Sequence, residues 1–230
     1  MRAVVGVAVV VRLGYWLSKW NQHLLLTDSI YYSLQARQLA HGQLYREVFA
    51  DQPGAEHGPL TSLLMAPVSW GRDPVHWQRL VTVAAGVALV WLIGRLGTRL
   101  GGRRLGVLAA GIAALAPNLW MNDGLVMSES ISMLLVAAVL WWAIVAVERG
   151  GRHRFVVLGA LLGLGTLARS EVALLLVLVV VWLGISRHRS GQRVLPAVVP
   201  VVGVAVLMLL PWVTFNLARF ERPVVLTTND

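Results

Sequence analysis

Six long apolar runs make up most of this chain and restrict what it can fold into. They lie at about 3–20, 77–94, 105–121, 125–147, 155–186 and 194–213. Only 13% of the residues are charged, whereas soluble domains carry about 25%. Because a helix of about 20 apolar residues spans a bilayer, the runs predict an all-α polytopic membrane protein.

The fifth apolar run is too long for one ordinary span, and the positions of the cations decide how it crosses. It is interrupted by Arg169-Ser170-Glu171. Ten arginines fall in the short loops at 95–104, 148–154 and 187–193. The positive-inside rule places short basic loops in the cytoplasm, and all three can lie there only if 155–186 crosses twice. We therefore predict about seven membrane segments and a cytoplasmic N-terminus.

The acidic side chains, which the positive-inside rule does not count, gather on the opposite side. Ten of the eleven fall on the predicted outer side or at its boundary: Asp28, Glu47, Asp51, Glu56, Asp73, Asp123, Glu129, Glu171, Glu221 and Asp230. The outer face thus collects the groups that can accept protons or bind cations. We expect any active site to face outward.

The net charge of +9 does not indicate a nucleic-acid partner, because the basic residues lie in short loops between apolar runs. A nucleic-acid-binding domain concentrates such residues on one face. The chain has no cysteine, which excludes disulfides and thiolate metal sites. The partner that the composition predicts is the lipid bilayer.

The sequence shows no boundary of a soluble domain, so residues 1–230 are predicted to form a single transmembrane domain. Its first outer loop, 21–76, is too long to be a simple connection. Within that loop, 29–40 has the apolar spacing of an amphipathic helix lying at the interface. A second interfacial helix is predicted at 60–68.

Asp28 follows the first apolar run, in Thr27-Asp28-Ser29-Ile30-Tyr31-Tyr32. One interpretation is that it caps a helix starting at Ser29, since aspartate is among the best N-cap residues. The other is a general base that takes a proton from a hydroxyl or amine acceptor. The two roles are compatible, and Tyr31 is the neighbouring candidate for a substrate contact.

Further acids on the outer side have competing interpretations. Glu56 and His57 form either a polar turn or a substrate or metal contact. Asp123 stands in an Asn-Asp-Gly tripeptide, which is typical of a turn. Glu129 either complements the dipole of the fourth membrane helix or has a functional role, as acids at membrane depth usually do.

Two arginines interrupt apolar runs. Arg169 and Glu171 either neutralise each other at the tip of a helical hairpin, or Arg169 holds a phosphate at the outer face while Glu171 orients it. Arg12, inside the first run, either snorkels to an interface or helps to bind an anionic headgroup.

Several blocks, taken together and in order, resemble the GT-C membrane glycosyltransferases. They are Asp28 with Tyr31-Tyr32, Gly42-Gln43-Leu44-Tyr45, His57-Gly58-Pro59-Leu60, Ser128-Glu129, Arg169-Ser170-Glu171, and Pro211-Trp212 with Asn216. The likeness is to glycosyltransferase family 39 and its relatives, which include protein O-mannosyltransferases and lipid A aminoarabinose transferases. It covers essentially the whole chain.

The resemblance implies a GT-C-type helix bundle in the inner or plasma membrane with an outward-facing site. Such a site transfers a hexose or pentose, with inversion, from a polyprenyl-phosphate-sugar donor to a protein, lipid or glycan acceptor. The essential acid would be Asp28, and the second acidic site would be Glu129 in preference to Asp123. Arg169, with Arg12 or a divalent cation, would stabilise the departing phosphate.

Two departures accompany the resemblance. Phe215 stands where many relatives have an arginine before the residue that is Asn216 here, which removes one candidate phosphate contact. Relatives are also longer, so the chain is expected to be the N-terminal portion of a larger module. The alternatives are a truncated non-catalytic scaffold, and a lipid or solute transporter, which would carry ionisable residues deep in its spans.

Overall fold

The computed structural model describes residues 1–229, and within that range the chain is helical and contains no strand. Its α-helices are α1 (Arg2–Ser18), α2 (Thr27–Ala40), α3 (Pro59–Met65), α4 (Val75–Leu115), α5 (Pro117–Trp120), α6 (Glu129–Arg149), α7 (Arg152–Ala168), α8 (Val172–Arg189) and α9 (Leu195–Leu217). Short 3-10 helices extend α3 and α5, at Ala66–Val68 and Met121–Gly124. Asp230, one of the predicted outer acids, lies outside the described residues.

Four of these helices, α4, α6, α8 and α9, are long and apolar enough to cross a membrane. This confirms the prediction of an all-α membrane protein. The segment 21–76, predicted to be the first outer loop, contains helices in both places where the sequence predicts them, α2 and α3. The number of membrane segments stays a prediction, as does the single domain over 1–230.

Helix α4 is a hairpin of two arms rather than one straight helix. The backbone leaves helical geometry at Gly101 and Gly102, and Gly102 has φ +78°, a conformation that glycine adopts without steric cost. A Cβ on Gly97 would lie only 3.0 Å from the Cα of Gly106, and one on Gly94 would lie 3.0 Å from the Cβ of Ala110. The two arms therefore run antiparallel, and the basic loop at 95–104 is their turn.

The described chain divides into two compact units. Unit 1 contains Met1–Gly54 and Thr61–Leu134, and unit 2 contains Ala55–Leu60 and the residues from Leu135 onward. In unit 1, α1 packs along the α4 hairpin through a buried cluster of mostly small side chains, Ala8, Val90, Ala110, Ala113 and Ala114. Small residues let helix backbones approach closely, which is typical of helix interfaces in membranes.

In unit 2, the fifth apolar run is two helices. Helix α7 ends at Ala168 and α8 begins at Val172, so the break falls at Arg169-Ser170-Glu171. The helices pack antiparallel, since the guanidinium of Arg187 near the end of α8 lies 5.5 Å from the ring of Phe155 near the start of α7. A charged trio therefore forms a turn instead of lying inside one long helix.

Helices α7 and α9 make the closest contact within unit 2. Gly159 of α7 faces the backbone of Val201, and Gly163 faces Ala205 and Met208 of α9. The two glycines are four residues apart and so lie on one helix face, which is the small-xxx-small arrangement of membrane helix pairs. Gly159 contacts backbone and Gly163 contacts both backbone and the Met208 side chain, and neither position has room for a Cβ.

Adding one methyl group to this contact is expected to separate the two helices. A Cβ at Gly159 would overlap the carbonyl of Val201, so Gly159→Ala should destabilise the protein by about 1–3 kcal/mol, measured as unfolding of detergent-solubilised protein. The matched control is Gly203→Ala on α9, where a Cβ meets nothing within 4 Å. That change should be neutral or stabilise by up to about 1 kcal/mol, and equal effects of the two changes would contradict the packing described.

Candidate functional site

Asp28 lies in the first turn of α2, just after the segment that links α1 to α2. The helix begins at Thr27 with Leu26 as its N-cap, so the predicted start at Ser29 with Asp28 as the cap is wrong. The Asp28 side chain is half-buried. A carboxylate in the first turn interacts favourably with the positive end of the helix dipole.

Tyr31 and Tyr32, on the next turn of α2, are buried in unit 1. Tyr31 is 0% exposed, and its hydroxyl accepts a hydrogen bond of 3.0 Å from Nε2 of Gln35. The two tyrosine rings meet edge to face with centroids 6.3 Å apart. Their visible role is to anchor α2, and a substrate contact by Tyr31 stays a prediction.

Glu129 is the first residue of α6 and belongs to the same unit as Asp28. Its side chain is half-buried, while Ser128 and Ser130 on either side are buried. The preceding segment contains Val126, a buried residue with φ +57°. A β-branched residue in that region is strained, so the surrounding contacts must hold the approach to Glu129 in place.

Those contacts centre on Asp123, which is fully buried in a short 3-10 helix rather than in an exposed turn. Its Oδ2 lies 2.8 Å from Nε of Arg12, which is also 0% exposed. Ser130 donates a hydrogen bond of 2.6 Å to Oδ1, and Thr82 donates one of 2.5 Å to the backbone carbonyl. Arg12 therefore neither snorkels to an interface nor reaches an anionic headgroup.

Burial raises the pKa of Asp123 to about 6, although the hydrogen bond from Ser130 and the positive charge of Arg12 act in the opposite direction. Space for the carboxylate comes from Gly86 of α4, where a Cβ would overlap both carboxylate oxygens. Asp123 is thus committed to a structural ion pair that joins α1 to the segment before α6. This supports Glu129, rather than Asp123, as the second acidic site.

Arg79 is a buried residue of unit 1 whose role was not predicted from the sequence. Its guanidinium donates to the carbonyls of Lys19 at 2.5 Å and Gln22 at 2.8 Å, and so binds the end of α1. The signal was available, because Gln78, Arg79 and Thr82 are polar residues on neighbouring turns of an apolar run. Polar side chains at membrane depth usually face protein and have a partner there.

Two cavities lie along α2 within unit 1. One of about 60 Å³ borders Ser29, Arg79 and Gly124, which is room for about two water molecules. The other, of about 340 Å³, is lined by Leu34, Arg37, Gln38, His41, Gln43 and Val48. Only the larger one reaches the size of a small-molecule site, which begins at about 300 Å³.

Unit 2 brings together the other predicted site residues. Gly58, which follows Glu56-His57, packs so closely on the carbonyls of Leu167 and Ala168 that a Cβ would not fit. Arg169 follows directly, and its Nη2 lies 3.1 Å from Oε1 of Glu171 in a partly exposed pair. Glu56, His57, Arg169 and Glu171 therefore gather at one end of unit 2.

The segment after α9 reaches the same end of unit 2. The backbone N–H of Thr228 donates to the carbonyl of Ala55 at 2.8 Å, beside Glu56. Nε1 of Trp212 and Nδ2 of Asn216 both donate to the carbonyl of Leu226, at 2.7 and 3.4 Å. Trp212 and Asn216 therefore hydrogen-bond α9 to the segment that follows it.

A cation lies beside Asn216 in spite of the phenylalanine at position 215. The guanidinium of Arg219 lies 3.9 Å from the centroid of the Phe215 ring and donates to Oδ1 of Asn216 at 2.8 Å. Arg219 follows Phe215 by four residues, so its position near that ring could have been expected from helical spacing. The resemblance to the GT-C family indicated only that an arginine is missing at position 215.

The described residues contain no group of three or more His, Cys, Asp or Glu side chains that could hold a metal ion. Glu56 and His57 supply two of the ligand types that divalent cations use, and two ligands do not make a closed site.

The ion pair of Arg12 and Asp123 can be tested by a double-mutant cycle. Arg12→Met or Asp123→Asn alone should destabilise the protein by about 3–5 kcal/mol, because each leaves a buried partner unpaired. The double variant should lose much less than the sum of the two, since no uncompensated charge remains. The measurement is the unfolding free energy of all four proteins in one detergent, and additive losses would argue against the pair.

The chain matches the family model described as dolichyl-phosphate-mannose-protein mannosyltransferase over residues 63–215. No curated protein and no solved structure matches it. The matched region runs from within α3 to near the end of α9, and so covers well over half of the 230 residues. The chain therefore belongs to the dolichyl-phosphate-mannose-protein mannosyltransferase family, and is a membrane glycosyltransferase of the GT-C type.

Proposed function

We propose that this chain transfers a sugar from a polyprenyl-phosphate-linked donor to a protein, lipid or glycan acceptor at the outer face of the cell membrane. The observation that carries the proposal is the family match over residues 63–215. The distribution of acids supports the outward-facing site, since the basic loops 95–104, 148–154 and 187–193 contain a single acid, Glu148. Nucleotide sugars are made in the cytoplasm, so an outer site needs a sugar carried across on a lipid.

The proposed reaction is one displacement at the anomeric carbon. Asp28 takes the proton of the acceptor hydroxyl as its oxygen attacks that carbon, which is general base catalysis. The bond from the anomeric carbon to the phosphate oxygen breaks, and polyprenyl phosphate leaves with the bonding pair. A single displacement inverts the configuration of the sugar.

The departing phosphate needs positive charge, and unit 2 offers two candidates. Arg169 lies at the exposed turn between α7 and α8, oriented by Glu171 at 3.1 Å. Arg219 lies beside Asn216 and supplies a cation near the block where Phe215 replaces the relatives' arginine. The planar guanidinium fork suits both for phosphate, whereas Arg12 is occupied by Asp123.

The remaining site residues have supporting roles in the proposal. Glu129 is the second acid, at the start of α6 in the same unit as Asp28. Glu56 and His57 are proposed substrate contacts, and within unit 2 they lie near Arg169. Tyr31 fixes α2 and, through it, the direction of the Asp28 carboxylate.

Replacing Asp28 by asparagine keeps the shape of the side chain and removes the base. Asp28→Asn should lower the rate of sugar transfer by about 100-fold or more, measured as release of polyprenyl phosphate from membranes given a polyprenyl-phosphate sugar and an acceptor. The matched control is Asp51→Asn, an exposed carboxylate of the same outer loop, 87% exposed. Normal transfer by Asp28→Asn at equal expression would refute the assignment.

Arg169 is expected to act mainly on the donor. Arg169→Gln should lower kcat/KM for the donor by about 10- to 100-fold, because it removes charge-assisted hydrogen bonds to the phosphate. The effect on KM for the acceptor should be smaller. Arg72→Gln removes an exposed arginine of the first outer loop and should leave both constants near their original values. Equal losses in Arg72→Gln and Arg169→Gln would point to a nonspecific charge effect.

A further inference from the structure

The turn of the α4 hairpin carries a cavity that the proposed reaction does not use. It has a volume of about 500 Å³ and is lined by Arg103, Arg104, Val107 and Leu108 of the second arm. Both arginines are exposed, and Leu108 is 61% exposed. The cavity is therefore open, with two cations at one edge and aliphatic side chains at the other.

The two arginines are not neutralised within the described part of the chain. Neither takes part in an ion pair or a side-chain hydrogen bond there. Helix α4 contains no acidic residue at all, and its first arm adds Arg95 and Arg99 near the same turn. The turn is thus a site of concentrated positive charge that attracts an anion.

The aliphatic side chains limit which anion fits. Leu100, Leu105 and Leu108 are 70%, 43% and 61% exposed around the arginines. A small soluble anion would gain nothing from this surface, whereas an amphiphile covers it while its anionic group meets the guanidinium forks. One guanidinium can donate two parallel hydrogen bonds to a phosphate. Burial of the apolar side chains against the lipid adds about 25 cal/mol per Å² to the binding free energy.

We propose that the turn of α4 binds the phosphate headgroup of an anionic phospholipid, with Arg103 and Arg104 on the phosphate and Leu108 against an acyl chain. On the predicted topology this lipid belongs to the cytoplasmic leaflet, where anionic lipids attract juxtamembrane cations. The bound lipid holds the hairpin turn at the membrane surface. The proposal is independent of the sugar-transfer reaction.

Lipid retention by the purified full chain tests the proposal. The protein is delipidated in detergent, titrated with phosphatidylglycerol or phosphatidylcholine, and bound lipid is counted by native mass spectrometry. The original chain should bind phosphatidylglycerol in preference to phosphatidylcholine. Arg103→Gln/Arg104→Gln should weaken phosphatidylglycerol binding by about thirtyfold, since each arginine near a charged membrane contributes about 1 kcal/mol.

Four further measurements make the result specific. Arg189→Gln/Arg193→Gln removes two exposed arginines of another basic loop and should leave binding at this site unchanged. Leu108→Ser should weaken phosphatidylglycerol binding and keep the arginines, which tests the apolar half. Glycerol 3-phosphate should fail to displace the lipid. Because the substituted positions are exposed, all of these variants should keep the unfolding midpoint of the original chain.

The proposal is overturned by equal binding in the original chain and in Arg103→Gln/Arg104→Gln. An equal loss in Arg189→Gln/Arg193→Gln would also overturn it, because it would show a general effect of net charge. Displacement of the lipid by glycerol 3-phosphate would assign the site to a soluble phosphate instead.

Discussion

The ion pair between Arg12 and Asp123 is the interaction on which the rest of unit 1 depends. Both side chains are fully buried and lie 2.8 Å apart, in surroundings where an isolated charge would cost several kcal/mol. Each charge is tolerable only while the other is present. The pair therefore joins α1 to the segment before α6, the helix that begins at Glu129.

Unit 2 is held together by a different principle. Its helices bury a core that includes Phe155, Leu158, Leu162 and Leu183, and α7 and α9 also approach closely through glycines. Such contacts are sensitive to a single methyl group, as at Gly159 against Val201. This packing also gathers the charged turn at Arg169 and the Glu56-His57 block at one end, where no long side chain is needed to bring them together.

Much of this fold follows from the sequence alone. The length of the apolar runs gave the all-α membrane class, and the charged trio at 169–171 marked the break between α7 and α8. The start of α2 was misplaced because Asp28 is a strong capping residue in general, and here it falls inside the first turn instead.

The partners of the buried polar residues could not be predicted, because they depend on tertiary packing. Arg12 and Asp123 are far apart in the chain, and nothing in the spacing of either indicates the other. Arg219 differs from these two residues, because its position beside Phe215 follows from helical spacing, although its hydrogen bond to Asn216 is seen only in the structure. The catalytic roles of Asp28 and Glu129 stay predictions, since only a reaction can test them.

We propose that this chain displaces polyprenyl phosphate from a sugar in one inverting step. The most direct measurement is the anomeric configuration of the product, read by NMR together with the amount of polyprenyl phosphate released. One polyprenyl phosphate should be released per sugar transferred, and the product should have the configuration opposite to that of the donor. Retention of configuration, or donor that stays intact in the presence of acceptor and protein, would contradict it.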